Sequence, residues 1–173
     1  NLYNQPPDGD FSVALLALGA KIKIQSASSE RMVDLNVFMT GGRELEANEL
    51  VTEIQIPDQG GQATFKKFGP RQGSAATIVS VAAQIDASDG IIKTARVALG
   101  GAGTTASRSP AAEAVLSNAA LDDVETLAAK ASAAAAEASS PITNPVASEW
   151  YRRRMIDVQL KRLLSELLGS FSA

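Results

Sequence analysis

The chemistry open to this chain is bounded first by two missing residue types: its 173 residues include no His and no Cys. Without imidazole there is no Ser-His-Asp triad, no histidine base and no common nitrogen ligand for a metal. Without thiols there is no disulfide, no Cys-ligated cluster or zinc and no sulfur nucleophile. Any redox centre must then be an organic cofactor. Four patterns remain to be weighed. Gly101-x-Gly103-x-x-Ala106 follows a strand and has the skeleton of a dinucleotide-binding loop. In such a loop the glycines run straight into a helix whose N-terminus holds the pyrophosphate, and an acidic residue ends the next strand. Here Ser109-Pro110 opens the helix too late and a further helix follows, so the glycines read as the turn that ends an inner strand. Lys66, Lys67 and Arg71, interleaved with Phe65, Phe68, Gly69 and Pro70, either face an anionic or planar ligand or form a solvated surface. Arg152-Arg153-Arg154 points three ways around a helix, so one guanidinium can reach inward while the others stay wet. Glu44, Glu46, Glu49 and Glu53 lie in a polar stretch without the spacing of an acid/base pair, and nothing proposes a metal cage.

The elements that must carry these residues fall into two groups. Residues 1–10 are turn-rich, with Pro6-Pro7 and Asp8-Gly9 as breakers. Asp10 is the expected N-cap of an apolar, buried helix over 11–18 that Gly19 stops. Alternation of Lys21, Ile22, Lys23 and Ile24 predicts a half-buried strand over 20–25, with a partner over 31–35. A third strand, 51–56, follows the Gly41-Gly42 break and ends at Pro57. Beyond the loop 57–62, strands are expected at 63–68, 77–86 and 91–99, with Asp89-Gly90 turning the last hairpin. Thr77, Val79, Val81, Ala83 and Ile85 would share one face. After Gly103 the period changes from 2 to 3.6. Helices are expected over 109–118 (Ser109 cap, Pro110 first), over 121–139 (so Ala-rich that it must pack closely) and over 148–168 (Ser148 cap, with Ile156, Leu160, Leu163, Leu164 and Leu167 in one stripe). The class is α+β: a three-stranded antiparallel sheet with three helices on one face, after a smaller mixed unit, with the division at 1–58 and 59–173.

Hydrophobic residues at 45% and charged residues at 20% are those of a globular protein. A net charge of −3 supplies no electrostatic footprint for nucleic acid. No apolar run approaches the ~18–20 residues that span a bilayer, and no signal-peptide pattern opens the chain. The chain begins with Asn1 rather than Met, and the expectation is a part of a longer protein.

Several strings, in order, resemble one family. Asn1 to Asp10 running into FSVALLALGAKI resembles the second part of the PCMH-type FAD-binding domain in the medium subunits of molybdenum hydroxylases, the xanthine dehydrogenase, aldehyde oxidoreductase and carbon monoxide dehydrogenase type. There a glycine-rich TxGGN loop leads to an aspartate that opens a helix, and Asn1 falls where the motif's asparagine would be. NELVTEIQIP and ATFKKFGPR resemble two later strands of that family. TIVSVAAQID, GIIKTARVALGGAG and SEWYRRRMIDVQLKRLL resemble its C-terminal domain. The likeness covers essentially the whole chain. Two departures stand out: the first pyrophosphate-binding loop is not in this sequence, and Gly73-Ser74-Ala75 stands where many relatives carry an acidic residue.

The resemblance implies FAD as cofactor, with Asn1 in the glycine-rich motif and Asp10 accepting from the ribityl hydroxyls. Leu50 and Val51 would offer backbone groups and an apolar wall to the ring. Lys66 would sit near the ring's pyrimidine side, and Lys67 on the opposite side of its strand. It also implies an oxidoreductase subunit that passes electrons from iron–sulfur clusters through FAD to an acceptor, with the metal centres on an iron–sulfur subunit and a molybdopterin-containing subunit, in the cytoplasm. With half of the binding site outside this sequence, the 173 residues alone are expected to bind FAD weakly or not at all. The competing expectation is a non-catalytic assembly module whose helices dock partner chains.

Overall fold

The computed structural model describes residues 2, 9–58, 60–70 and 76–171. Asn1 and the departure at 73–75 lie outside that set. The first element, α1 (Asp10–Ala17), is nearly all apolar. Gly9 stands at its cap position and Asp10 is its first helical residue, with no side-chain capping bond. The expected Asp10 cap is therefore corrected; its carboxylate is engaged elsewhere. The helix ends where the N–H groups of Gly19 and Ala20 donate to the carbonyls of Leu16 and Leu15. From there the chain turns into β1 (Lys21–Gln25) and β2 (Glu30–Asp34), an antiparallel hairpin.

A short helix, α2 (Leu35–Thr40), was not expected. Asp34 caps it by accepting from the N–H groups of Asn36 and Val37, and Leu35, Phe38 and Met39 bury its inner face. The i, i+3, i+4 spacing of those three residues is a helical signal too short to outweigh the strand pattern just before it. Next, β3 (Leu50–Gln55) pairs with the free edge of β1, giving the order β2-β1-β3.

The second sheet is antiparallel throughout: β4 (Gln62–Phe68), β5 (Val79–Ser88), β6 (Ile91–Gly100) and β7 (Ser107–Arg108), in that order. The expected three-stranded sheet thus gains a fourth, two-residue strand. Two residues carry no readable alternation. Tertiary bonds hold them instead: Arg108 donates from Nε and Nη2 to the Glu113 carboxylate at 2.8 and 2.7 Å, and Glu113 also accepts the Val97 N–H at 3.0 Å. The β5–β6 turn has Asp89 and Gly90 at φ 54° and 71°, as a two-residue hairpin loop requires.

Helices α3 (Pro110–Leu116), α4 (Val124–Ala138) and α5 (Glu149–Gly169) cover one face of this sheet, packing on Val79, Val81, Ala83, Ile85, Val97 and Leu99. The opposite face receives α1, over small residues of β5 and β6. Ala82 and Ala98 join a second core with Val13, Leu16, Ile22 and Ile24, so α1 packs against both sheets. Its approach is close. A Cβ on Gly100 would lie 2.8 Å from Val13 Cγ2 and 2.4 Å from Ser80 Oγ. This double coverage explains why β5 is buried on successive residues rather than alternate ones.

Candidate functional site

Strand alternation sends successive side chains of β4 to opposite faces. Lys66 and Phe68 face the helices: Lys66 Nζ donates to Glu166 Oε1 on α5 at 2.6 Å, and the rings of Phe68 and Tyr151 lie 6.2 Å apart between centroids. Lys67 faces α1 and donates to Asp10 Oδ2, also at 2.6 Å. The alternation expected of these lysines holds, but the structure puts Lys67, not Lys66, on the side of Asp10. The reason is register: Phe65 pairs with Ala82, whose side chain belongs to the α1 core, and Lys67 pairs with Ser80 on the same face.

A third segment completes the cluster. Thr77, expected to face inward with Val79, lies ahead of the strand, and its Oγ1 donates to Asp10 Oδ1 at 2.7 Å. The Asp10 carboxylate is thereby bonded on both oxygens, at the N-terminus of α1, where the helix dipole also favours negative charge. Sequence reasoning missed Thr77; the available signal was a polar residue heading a run of apolar ones.

Behind Thr77 the backbone is fixed from two sides. The Ile78 N–H donates to the Phe68 carbonyl at 2.9 Å, and the Ile78 carbonyl accepts from Arg152 Nη1. Arg152 is the inward-reaching member of the arginine run, wholly buried, with Nη2 donating to Asn144 Oδ1 at 2.9 Å. Arg153 and Arg154 pair outward with Glu149 and Asp157. Gly101 sits beside this point at φ +75°, its Cβ position 2.4 Å from the Ile78 carbonyl oxygen. The glycine motif makes room for that carbonyl, as the reading of it as a turn implies.

Several apolar residues on these elements are exposed. Phe11 is 52% exposed, and Phe65, two residues from Lys67 on the same face of β4, is 38% exposed. Leu50, 69% exposed, and the half-buried Val51 lie on β3, opposite Gln25 and Ile24 at the C-terminal end of β1. The acidic stretch is occupied by structure. Arg31 donates to both Glu49 oxygens at 3.0 and 2.9 Å, and the Glu46 N–H donates to Oε2 at 3.0 Å. Chiefly through Arg31, the Glu49 carboxyl is held down at about 2. Among the described residues no group of His, Cys, Asp or Glu could hold a metal ion, and no helix is long and apolar enough to cross a membrane.

Residues 63–167 match the family model of the CO dehydrogenase flavoprotein C-terminal domain. The chain belongs to this family, the FAD-binding subunits of molybdenum hydroxylases. Residues 1–59 of the flavoprotein match the FAD binding domain in molybdopterin dehydrogenase. It is 29% identical to the nicotine 6-hydroxylase medium subunit of Paenarthrobacter nicotinovorans, over 91% of this chain and 56% of that one. It is 30% identical to the glyceraldehyde dehydrogenase medium chain of Sulfolobus acidocaldarius, over 96% and 59% respectively. Among solved structures it resembles quinoline 2-oxidoreductase from Pseudomonas putida 86, with a TM-score of 0.84, 26% identity, and coverage of 98% of this chain and 59% of that one. The flavoprotein chain therefore spans a little over half the length of the relatives it matches.

The residues present fit FAD. A carboxylate carries about four lone-pair sites, so Asp10, with one bond to each oxygen from Lys67 and Thr77, keeps acceptor capacity for hydroxyls. The exposed apolar residue next to it, Phe11, suits a planar ring or its chain.

Proposed function

We propose that this chain is the part of a medium subunit that grips the flavin's polyol chain and one edge of its ring, within a complex that also contains an iron–sulfur subunit and a molybdopterin-containing subunit. Asp10 accepts from the ribityl hydroxyls. Leu50 and Val51 supply apolar wall, and Asn1 belongs to the glycine-rich motif. Lys67, rather than Lys66, is the cation on the flavin side. Bound FAD supplies the electron chemistry, between iron–sulfur clusters and a final acceptor. What the protein supplies is position and charge. The ammonium of Lys67 favours negative charge near it, and the apolar residues exclude water. The complex works in the cytoplasm.

The observation that carries this reading is the doubly bonded Asp10 carboxylate beside an exposed aromatic residue, in a chain whose first 59 residues match an FAD-binding domain. The test is a visible absorption spectrum of the full-length flavoprotein. Bound, stoichiometric flavin is expected, and Asp10→Ala should weaken it at least tenfold. Full-length protein that neither carries nor takes up FAD overturns the reading.

A second reading rests on Trp150, 74% exposed on α5 beside Ala133 and Ala136 of α4. An aromatic residue of that size over small side chains is a natural docking point. A flavin-free chain that still co-purifies with its partner subunits would favour the assembly role.

A further inference from the structure

Asp10 holds a position at which its carboxylate has two competing uses. As the first residue of α1 it lies near the helix's leading N–H groups, which lack intrahelical acceptors and whose partial positive charge attracts an acidic side chain in the first turn. Here the cap position is held by Gly9, which has no side chain, and the Asp10 carboxylate accepts instead from Thr77 and Lys67. Two bonds from separate segments select that rotamer. The one from Lys67 comes from a flexible side chain that is more than a third exposed. The other comes from Thr77, a β-branched residue with few rotamers, 1% exposed, whose following residue is pinned by the Phe68 carbonyl and by the buried Arg152. Arg152 is in turn oriented by Asn144, whose Oδ1 also accepts from the N–H groups of Val146 and Ala147 at 3.0 and 3.2 Å. The rigid partner of Asp10 is thus Thr77, and its rigidity is anchored in the helical layer on the far side of the sheet.

We propose that Thr77 is a positioning residue for FAD binding: its hydroxyl fixes the Asp10 carboxylate in the outward rotamer that accepts from the flavin's hydroxyls. The inference rests on the reading that Asp10 faces FAD. It assigns Thr77 no contact with the cofactor, since the residue is 1% exposed and its single proton is committed to Asp10 Oδ1. Without that bond the carboxylate is free to fold back onto α1, and binding must first pull it away. Affinity then falls by the fraction of molecules in the competent rotamer.

The test uses the full-length flavoprotein, with the FAD dissociation constant read by titration of flavin fluorescence and the melting temperature read alongside. Thr77→Val keeps the shape and removes the proton; it should weaken FAD five- to twentyfold. Thr77→Ser restores the donor and should return affinity to within about twofold of the parent, although it removes a buried methyl group and lowers the melting temperature. That split separates positioning from packing. In an Asp10→Ala background, Thr77→Val should change FAD affinity by less than twofold, because its target is gone. If Asp10→Ala weakens FAD but Thr77→Val does not, or if Thr77→Val weakens it equally without Asp10, the positioning role is overturned. If Asp10→Ala itself leaves affinity unchanged, the flavin-facing reading of Asp10 falls first, and this inference with it.

Discussion

Lys67 and Asp10 are 57 residues apart in sequence and 2.6 Å apart in space, and the bond between them ties the first helix to the first strand of the second sheet. Its immediate neighbour, Lys66, makes a bond of the same length in the opposite direction, to Glu166. One strand therefore offers two lysines with equivalent partners and opposite surroundings, a built-in comparison between the two faces of the sheet.

In the full-length flavoprotein, Lys67→Met should lower the flavin's reduction potential and weaken FAD by roughly tenfold. Two unit charges ~4 Å apart at an effective dielectric near 20 interact by about 4 kcal/mol before desolvation and screening, so a net effect of about 1–1.5 kcal/mol is reasonable. Lys66→Met removes an ion pair whose Glu166 partner is mostly exposed, and such pairs contribute about 0–1 kcal/mol to stability. Affinity and potential should stay within error of the parent. Spectroelectrochemical titration of both variants decides the matter, and a larger effect from Lys66→Met would place the flavin on the helix side of β4.

Gly101→Ala should destabilise the fold by about 3 kcal/mol or more. Its φ of +75° strains any L side chain, and the added methyl would meet the Ile78 carbonyl oxygen at 2.4 Å, where backbone rather than a flexible side chain must yield. The same carbonyl is the acceptor for Arg152, so the substitution also disturbs a buried guanidinium. Equilibrium denaturation in urea measures the loss. A change below about 1 kcal/mol would mean that the Ile78 carbonyl is not held where the structure has it.

Long periodic elements were legible because their patterns are local. In residue type, though not in burial, 79–85 and 95–99 alternate larger apolar side chains with small or polar ones, the 149–169 run has an apolar stripe, and Ser109, Ser148 and Pro110 mark helix starts in the ordinary way. What escaped was decided by tertiary bonds: the two-residue β7, pinned by Arg108 and Glu113; the short α2, capped by Asp34; and the use of Asp10. The family resemblance implied Asp10 and Lys66, with Lys67 on the opposite side of the strand. Which lysine lies on the Asp10 side depends on strand register, and both face assignments are equally compatible with the string Phe65-Lys66-Lys67-Phe68. Thr77 could be placed only by knowing that β5 begins two residues later than its pattern suggests.

The Arg31–Glu49 clamp should make part of the stability acid-sensitive in a defined window. The Glu49 carboxyl lies at about 2 in the fold against an ordinary value of 4.5. A depressed folded-state value means that the contribution is complete above about 4.5, fades as pH falls, and is gone below about 2. Glu49→Gln lacks it at every pH. The difference in melting temperature between parent and variant should therefore shrink steadily from pH 5 to pH 2. A difference independent of pH over that range would show that the carboxylate's charge plays no part in holding the 43–49 loop to β2.

Ser80 and Gly100 face each other under α1, and together they test whether the helix sits as close to the sheet as the core implies. Ser80 Oγ is buried and has no hydrogen-bond partner, an arrangement that costs about 1–3 kcal/mol in desolvation. Ser80→Ala should therefore be neutral or stabilising. Gly100→Ala places a methyl 2.4 Å from that oxygen and 2.8 Å from Val13 Cγ2, and overpacking of this kind costs about 1–3 kcal/mol. Combining the two removes the nearer clash and leaves the one with Val13, so the double variant should recover part of the loss but not all of it. Adding Val13→Ala should recover more of the strain, offset by the cavity that it opens. The thermodynamic cycle, read by urea denaturation, should show a favourable coupling between positions 80 and 100 of at least 0.5 kcal/mol. Strict additivity would mean that α1 relaxes away from the sheet when Gly100 is filled, and that the two cores are less tightly joined through this helix than its packing indicates.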